Sequence, residues 1–229
     1  MTYVMSDIHG NSERFHAMLR KIEFSADDTL YILGDVIDRG SDGIPLLLEI
    51  MNTPNMVMLL GNHEDMMRQT IETGSILHYS SWMKNGGDQT VEDFLNLSSQ
   101  DRRSLKFWLR KLPCCLEIEV RRQGYLLVHG FPGPDTYSCV WGRPDSVKSR
   151  VDWIDGRKRV IIGHTPVLLL HAETEEEQDA YVRKLIHQHE CLRILHAPGF
   201  IDLDCGCGHD LPVSRLACLR LDDMKEFYK

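Results

Sequence analysis

The sequence predicts an α/β fold in which two mixed β-sheets pack as a sandwich flanked by helices, with a small helical cap beside them. Three observations carry this prediction. The first third of the chain alternates short apolar runs with amphipathic stretches, a pattern typical of parallel strands joined by helices. Residues 74–112 are polar and helical and contain no strand pattern. Short apolar runs then return, which indicates a second set of strands.

Three βα units make up the first third of the chain. Their strands are predicted at 2–6, 29–34 and 55–60, and their helices at about 10–22, 42–52 and 63–73. Each strand is an apolar run bounded by glycine or aspartate, as in Leu30-Tyr31-Ile32-Leu33 before Gly34-Asp35. Because crossovers between parallel strands are right-handed, the helices are expected to pack against the sheet.

The second half of the chain is predicted to form mainly strands, at 115–120, 124–129, 159–163, 199–203 and 214–221. Between the first two, the Gln123-Gly124 pair predicts a tight hairpin turn. A charged segment at about 171–198 predicts a helix with acidic residues at its start and basic residues toward its end. No linker or repeat divides the chain, so we expect one domain over 1–229, with the cap at about 74–112 and this insertion.

Composition excludes several classes of protein. The 229 residues are 42% hydrophobic and 26% charged, which is ordinary for a soluble globular protein. A net charge of −8 argues against a nucleic-acid partner, and no apolar stretch reaches the roughly 20 residues of a membrane span. Seven irregularly spaced cysteines predict a reduced protein, and a strand rather than a signal peptide at the N-terminus predicts a cytoplasmic one. The oligomeric state is left open.

Five short polar phrases follow predicted strands. They are Asp7-Ile8-His9, Gly34-Asp35-Val36-Ile37-Asp38-Arg39-Gly40, Gly61-Asn62-His63-Glu64, Val128-His129-Gly130 and Gly163-His164-Thr165-Pro166. Any one of them alone has a structural explanation, such as an N-capping aspartate or a tight turn. In an open α/β sheet, however, the loops at the carboxyl ends of the strands converge on one crevice. Carboxylate, imidazole and carboxamide groups would therefore meet there, which predicts a metal site.

Two divalent metal ions can be assigned to these groups. Asp35 has two carboxylate oxygens and is the candidate bridge between the ions. One ion would take Asp7, His9 and Asp35, and the other would take Asp35, Asn62, His129 and His164. Mixed nitrogen and oxygen ligands favour manganese, with iron or zinc as alternatives, over calcium and magnesium. With only two carboxylates the loaded centre stays net positive, so it would attract a phosphate and lower the pKa of a bridging water.

The remaining polar residues of these phrases are suited to catalysis. His63 directly follows a predicted ligand, so it can reach over the metals and act as a general acid. Asp38 lies in the same loop as the predicted bridge and can orient and charge this imidazole. Arg39 offers a planar fork for phosphate oxygens, and Arg143 in Trp141-Gly142-Arg143 can offer a second.

These five phrases, in this order, resemble the calcineurin-like metallophosphoesterases, and specifically the phosphoprotein phosphatase branch with its bacterial serine/threonine phosphatases. That branch pairs G-D-x-x-D-R-G with G-N-H-E, which stand here at 34–40 and 61–64, and the W-x-R of bacterial members matches at Arg143. The resemblance implies the two-sheet fold, the same ligands, and hydrolysis of phosphomonoesters by a hydroxide that bridges two metals. It also implies that His63 and Asp38 form the acid pair and that Arg39 binds phosphate.

The substrate expected from this resemblance is a phosphoprotein or phosphopeptide that carries phosphoserine or phosphothreonine. The alternative is a hydrolase of diadenosine tetraphosphate or other nucleotides. Diadenosine tetraphosphatases that resemble this chain usually have alanine in place of Asp38 and G-N-H-D in place of G-N-H-E, so both positions favour a protein phosphatase. A third interpretation, a non-catalytic binding module, is disfavoured because no ligand is lost. The cap carries no motif that transfers from the family.

Overall fold

The computed structural model describes residues 1–151 and 156–229, which form two five-stranded mixed sheets. In chain order the strands are β1 (Thr2–Met5), β2 (Thr29–Ile32), β3 (Met56–Met58), β4 (Cys115–Val120), β5 (Gln123–Val128), β6 (Arg159–Ile162), β7 (Leu195–His196), β8 (Ile201–Asp202), β9 (Ala217–Arg220) and β10 (Lys225–Tyr228). The strand orders are β10-β9-β1-β2-β3 and β4-β5-β6-β8-β7. In each sheet three neighbouring strands run parallel, β1-β2-β3 and β5-β6-β8, and the other strands are antiparallel.

The helices lie in the connections between strands. They are α1 (Ser12–Lys21), α2 (Gly43–Met51), α3 (Asn62–Thr73), α4 (Ile76–Lys84), α5 (Asp88–Asn96), α6 (Ser99–Leu109), α7 (Thr136–Trp141), α8 (Val167–His171) and α9 (Glu175–His187). As predicted, α1, α2 and α3 each follow one parallel strand of the first sheet. The short elements α7, α8, β7 and β10 lie outside the predicted set.

Apolar side chains from both sheets form one core between them. Val4, Leu33 and Leu59 from the first sheet and its loops share a cluster with Leu127 and Ile161 of the second, and all are fully buried. Burial of one such side chain stabilises a fold by about 1.5–3 kcal/mol. A second cluster fills the space between the first sheet and its helices. The predicted sandwich of two sheets with helices outside is therefore confirmed.

The hairpin between β4 and β5 turns earlier than the sequence predicts. The prediction placed the turn at Gln123-Gly124, but Val120 pairs with Gln123, so this dipeptide belongs to the ladder. Arg121 and Arg122 form the turn, with φ of 48° and 68°. A two-residue hairpin loop of this kind needs positive φ at both central residues, which glycine and asparagine normally supply. The prediction was wrong because the strand pairing, rather than the nearby glycine, sets the register.

The predicted cap consists of α4, α5 and α6 and packs tightly onto the domain. Trp82, Phe94, Leu105 and Leu109 from these helices are buried in the cluster that covers the first sheet. Ser98 caps α6 by accepting a hydrogen bond from the Asp101 N–H at 3.1 Å. The cap therefore shares the hydrophobic core of the sandwich.

The charged segment at 171–198 contains α9. Thr174 and Glu177 form a capping box at its start, where the first turn is acidic, and Lys184 and His187 lie in its last turn. This confirms the predicted order of charges along the helix. Within the described ranges, no helix is long and apolar enough to cross a membrane.

Candidate metal centre

Loops from both sheets bring the predicted ligands to one edge of the sandwich. The ligands lie just beyond the carboxyl ends of β1, β2, β3, β5 and β6, where parallel strands place the loops that follow them. All are at most 7% exposed, and they are Asp7, His9, Asp35, Asn62, His129 and His164. The structure therefore gathers every predicted ligand in one buried place.

Asp35 lies between two clusters of donor atoms. Its Oδ2 is 3.8 Å from both His9 Nε2 and His63 Nε2, and its Oδ1 is 3.3 Å from His129 Nε2. One cluster consists of Asp35, His9 and His63, and the other of Asp35, His129 and His164, with donor atoms within 4.8 Å of one another in each. One oxygen of the carboxylate thus faces each cluster, as a bridging ligand requires.

Asn62 and Asp7 complete the two clusters. Asn62 Oδ1 is 2.8 Å from His164 Nδ1 and 3.0 Å from His129 Nε2. Asp7 Oδ1 is 4.0 Å from His9 Nε2, and Asp7 Oδ2 accepts a hydrogen bond from the His164 N–H at 3.1 Å. Asp7 therefore faces the first cluster with one oxygen and ties the two sheets together with the other.

The loops of the site hold an uncommon backbone conformation. Positive φ values between 49° and 70° occur at Asp7, His9, Asp35, Asp38, Arg39 and His164. This left-handed region costs a non-glycine residue on the order of 1–3 kcal/mol and is concentrated at functional sites. Gly61 allows the loop after β3 to approach, because a Cβ there would lie 2.3 Å from the Asp35 nitrogen.

The electrostatics of the centre favour cations. Burial alone would lower the pKa of His129, but the adjacent Asp35 carboxylate outweighs burial and raises it to about 9. Burial would raise the pKa of Asp35, yet the charges of His129 and His63 hold it well below its usual range. The His9 Nδ1–H donates to the Ile37 carbonyl at 3.1 Å, which leaves Nε2 available as a ligand. This buried set of oxygen and nitrogen donors fits divalent metal ions.

His63 and Asp38 form a buried pair beside the first cluster. The His63 Nδ1–H donates to Asp38 Oδ2 at 2.6 Å, and both residues are at most 1% exposed. Burial alone would lower the pKa of His63, but the Asp35 and Asp38 charges outweigh it and raise the pKa. The pair lies where the sequence analysis places the general acid. Because His63 Nε2 also belongs to the first cluster, its position suits either a proton donor or a ligand.

Both arginines predicted to bind phosphate are exposed and border the centre. Arg39 Nη2 is 3.3 Å from His63 Nε2. Burial, the His129 charge and the Arg143 charge together lower the pKa of His164 to about 3, and Arg143 follows two residues after Trp141, which lies beside the second cluster. Trp141 packs edge-on against the His164 ring, with centroids 6.4 Å apart.

The structure adds Glu64 to the site, a residue to which the sequence analysis assigned no role. Glu64 is fully buried, and its carboxylate accepts three hydrogen bonds from the loop after β2. The donors are the backbone N–H groups of Asp35 at 2.8 Å, Val36 at 2.9 Å and Ile37 at 3.2 Å. Glu64 therefore fixes the loop that carries the bridging carboxylate. Its place in the G-N-H-E phrase was the signal.

Two further side chains come from distant parts of the chain. His209, which fits no ligand pattern in the sequence, lies 3.4 Å from Arg39 Nη1 through its Nε2. Trp82 of α4 donates its indole N–H to Asp38 Oδ2 at 2.8 Å. Neither residue belongs to one of the five phrases, so no pattern in the sequence predicts these contacts.

Comparison with known proteins agrees with this geometry. Residues 2–211 match the calcineurin-like phosphoesterase family. Serine/threonine-protein phosphatase 2 of Salmonella typhimurium is 29% identical over 175 residues, which cover 71% of this chain and 78% of that protein. A symmetrical bis(5'-nucleosyl)-tetraphosphatase of Chromobacterium violaceum is 33% identical over 129 residues, which cover 56% of this chain and 42% of that protein.

A solved structure shows the same fold. The metallophosphoesterase from Sphaerobacter thermophilus is similar with a TM-score of 0.58 over 99% of this chain and 86% of that one, at 16% identity. The resemblance seen in the five phrases is thus confirmed by the family match and by the fold. The chain belongs to the calcineurin-like phosphoesterase family, and it is a hydrolase of phosphate esters.

Proposed function

We propose that this enzyme is a metal-dependent phosphomonoester hydrolase that acts on phosphoserine or phosphothreonine in proteins. The observation that carries the proposal is the buried His63–Asp38 pair beside the donor clusters. A serine or threonine alkoxide is a poor leaving group, so its release is accelerated by a positioned proton donor. A phosphate leaving group needs little protonation, so a nucleotide hydrolase has less use for this pair.

The six ligands would hold two divalent ions, and we propose manganese first, with iron or zinc as alternatives. Such ions would neutralise phosphate charge and lower the pKa of a coordinated water. The assignment follows from the two donor clusters and from the position of Asp35 between them.

The side chains around the clusters would bind the substrate and deliver the proton. Arg39 and Arg143 are proposed to bind the phosphate oxygens that do not react, because both guanidinium groups border the centre. His63 would give the proton on Nε2 to the leaving oxygen. Asp38 holds the imidazole through Nδ1 and thereby keeps Nε2 directed toward the centre.

A polar cavity of about 380 Å³ beside His9 and Arg39 supports a peptide substrate. Basic and acidic side chains both line it, and they include Arg14, His209, Glu13, Asp42 and Asp210. We propose that the segment flanking the phosphorylated residue lies in this cavity. A mixed lining of this kind suits polypeptide backbone and polar side chains better than a run of phosphates.

A nucleotide substrate is the second candidate. The observation that favours it is the Chromobacterium violaceum tetraphosphatase, which is 33% identical over 56% of this chain. The metal centre would be the same in both cases. The difference would lie in what occupies the cavity and in how much the reaction depends on His63.

The test removes metal with a chelator, restores manganese, and compares two substrates at equal concentration. Release of phosphate from a phosphoserine peptide and hydrolysis of diadenosine tetraphosphate are measured in parallel. Faster hydrolysis of the peptide supports the proposal. Faster hydrolysis of the dinucleotide replaces it with the second candidate. Parallel reconstitution with iron and zinc ranks the metals, and inactivity on both substrates with all three metals contradicts both candidates.

A further inference from the structure

Residues 82–90 of the cap form hydrogen bonds with the loop that carries Asp38 and Arg39. Trp82 donates its indole N–H to Asp38 Oδ2 at 2.8 Å. The Asp38 backbone N–H donates to Thr90 Oγ1 at 3.1 Å, and the Arg39 N–H donates to the Gly86 carbonyl at 3.0 Å. The sequence analysis assigned the cap no motif, yet it makes three separate hydrogen bonds to this loop.

Trp82 and His63 donate to the same oxygen of Asp38. Asp38 Oδ2 accepts both the indole N–H and the His63 Nδ1–H, whereas Oδ1 is buried and has no hydrogen-bond partner among the described residues. Asp38 is 0% exposed and Trp82 is 2% exposed. The hydrogen bond from Trp82, a cap residue, therefore fixes the rotation of the Asp38 carboxylate. That rotation in turn sets the direction of the His63 imidazole.

The indole itself has little freedom to move. A Cβ at Gly87 would lie 2.5 Å from Trp82 Nε1, so the backbone of the cap closes directly over the edge of the ring that carries the N–H group. A fixed donor of this kind is able to orient its acceptor, because the hydrogen bond is lost if the carboxylate rotates away.

We infer that Trp82 is a positioning residue for the proton donor. It acts through Asp38 on His63, so the cap belongs to the proton-donating apparatus of the enzyme. This inference rests on the proposed function only in assigning His63 as the general acid. Because a misplacement of about 1 Å in a catalytic group can cost on the order of 10²-fold in rate, loss of the indole N–H should be visible in turnover.

The kinetic test compares Trp82→Phe with Trp108→Phe in the manganese enzyme. Trp108 is also a cap tryptophan packed on the same core cluster, but among the described residues its indole forms no hydrogen bond with Asp38, so it controls for loss of ring volume. Two substrates are used, a phosphoserine peptide with an alkoxide leaving group and p-nitrophenyl phosphate with an acidic one. Trp82→Phe should lower kcat on the peptide by about 10–10²-fold and change kcat on the aryl ester by less than about threefold. Trp108→Phe should affect both substrates equally and weakly.

A double-mutant cycle separates positioning from packing. In an Asp38→Ala background, Trp82→Phe should cause no further loss on the peptide, because the acceptor through which it acts is gone. Equal losses on both substrates, or an additive loss in the Asp38→Ala background, would make Trp82 a packing residue and overturn the inference.

A measurement without substrate keeps the inference testable if Trp82→Phe does not fold. In ¹H–¹⁵N spectra of the full chain, Asp38→Asn should move the indole resonance of Trp82 and leave that of Trp108 in place. An unmoved Trp82 resonance overturns the inference. This result does not depend on which phosphate ester the enzyme hydrolyses, so failure of the proposed function is recognised separately, by the absence of peptide hydrolysis in the wild-type enzyme.

Discussion

The two ring nitrogens of His63 have different neighbours, and this difference separates the roles that the residue can play. Nδ1 is committed to Asp38 at 2.6 Å, whereas Nε2 faces Asp35 at 3.8 Å and Arg39 at 3.3 Å. If His63 were a metal ligand, its substitution would also cause the loss of a bound ion. A general acid would leave the metals in place and would matter most for substrates with basic leaving groups.

His63→Ala should therefore slow hydrolysis of alkyl phosphate esters by on the order of 10²–10⁴ and slow aryl esters far less. The measurement combines kcat on a phosphoserine peptide and on p-nitrophenyl phosphate with the bound manganese counted by elemental analysis. His16→Ala serves as control, because His16 pairs with Glu49 on the surface and should change neither quantity. An equal loss on both substrates, together with loss of one ion, would show that His63 is a ligand.

At the level of elements, the first turn of α3 holds the loop after β2 in position. Gly61 at the start of the helix permits close approach, and Glu64 then accepts three backbone hydrogen bonds from that loop. Burial and the Asp35 charge raise the pKa of Glu64 to about 7, and the hydrogen bonds from the Asp35 and Ile37 backbone oppose this shift. Helix and loop therefore form one unit, which sets the position of the bridging carboxylate.

Glu64→Gln tests this unit, because the amide places an N–H₂ group where the loop offers only donors. The substitution would remove one buried charge-assisted hydrogen bond and leave a backbone N–H of the loop buried without a partner. This should lower the free energy of unfolding by about 2–3 kcal/mol. Urea unfolding of the metal-free protein measures this change. Glu72→Gln on the same helix removes an exposed ion pair with Arg110 and should cost less than about 1 kcal/mol. Equal destabilisation by the two variants would remove Glu64 from this structural role.

The same scale shows what can be predicted from sequence in this chain. Each strand and the polar phrase behind it are contiguous, so hydrophobic pattern and spacing placed Asp7, Asp35 and His129 at strand ends without knowledge of the fold. Contacts between elements that are distant in the chain cannot be predicted in this way. Trp82 and Asp38 are 44 residues apart and meet only because the cap packs against the first sheet, which no local pattern records. The Arg121-Arg122 turn was missed for the same reason, since strand pairing decided it.

At the scale of the whole molecule, the candidate metal centre lies between the two sheets and takes ligands from both. The first sheet supplies Asp7, His9, Asp35 and Asn62, and the second supplies His129 and His164. The hydrogen bond from the His164 backbone N–H to the Asp7 carboxylate already links the two halves at this edge. Ions bound by ligands from both sheets would stabilise the packed sandwich over the unfolded chain.

Manganese should therefore raise the melting temperature of the metal-free protein. At about 100 times the dissociation constant, one site contributes about 2.7 kcal/mol, which corresponds to a rise of about 5–10 °C for a chain of this size. Calorimetry with and without chelator measures the rise. Asp35→Asn should lose most of it, since a neutral amide bridges two cations poorly, whereas Asp179→Asn on the exposed face of α9 should keep it. An unchanged rise in Asp35→Asn would refute the bridging assignment.

The path of the first sheet also has a consequence for biosynthesis. Its strand β1 is synthesised long before its neighbour on one side, β9, which residues 217–220 form. Until β9 has been synthesised, the edge of β1 that pairs with it has free backbone N–H and C=O groups. Unpaired strand edges of this kind promote association with other chains. A polypeptide released before residue 217 would carry every proposed metal ligand yet leave that edge open. Synthesis of β9 is thus the step that covers this edge of the first sheet, and it comes after all the proposed metal ligands have been made.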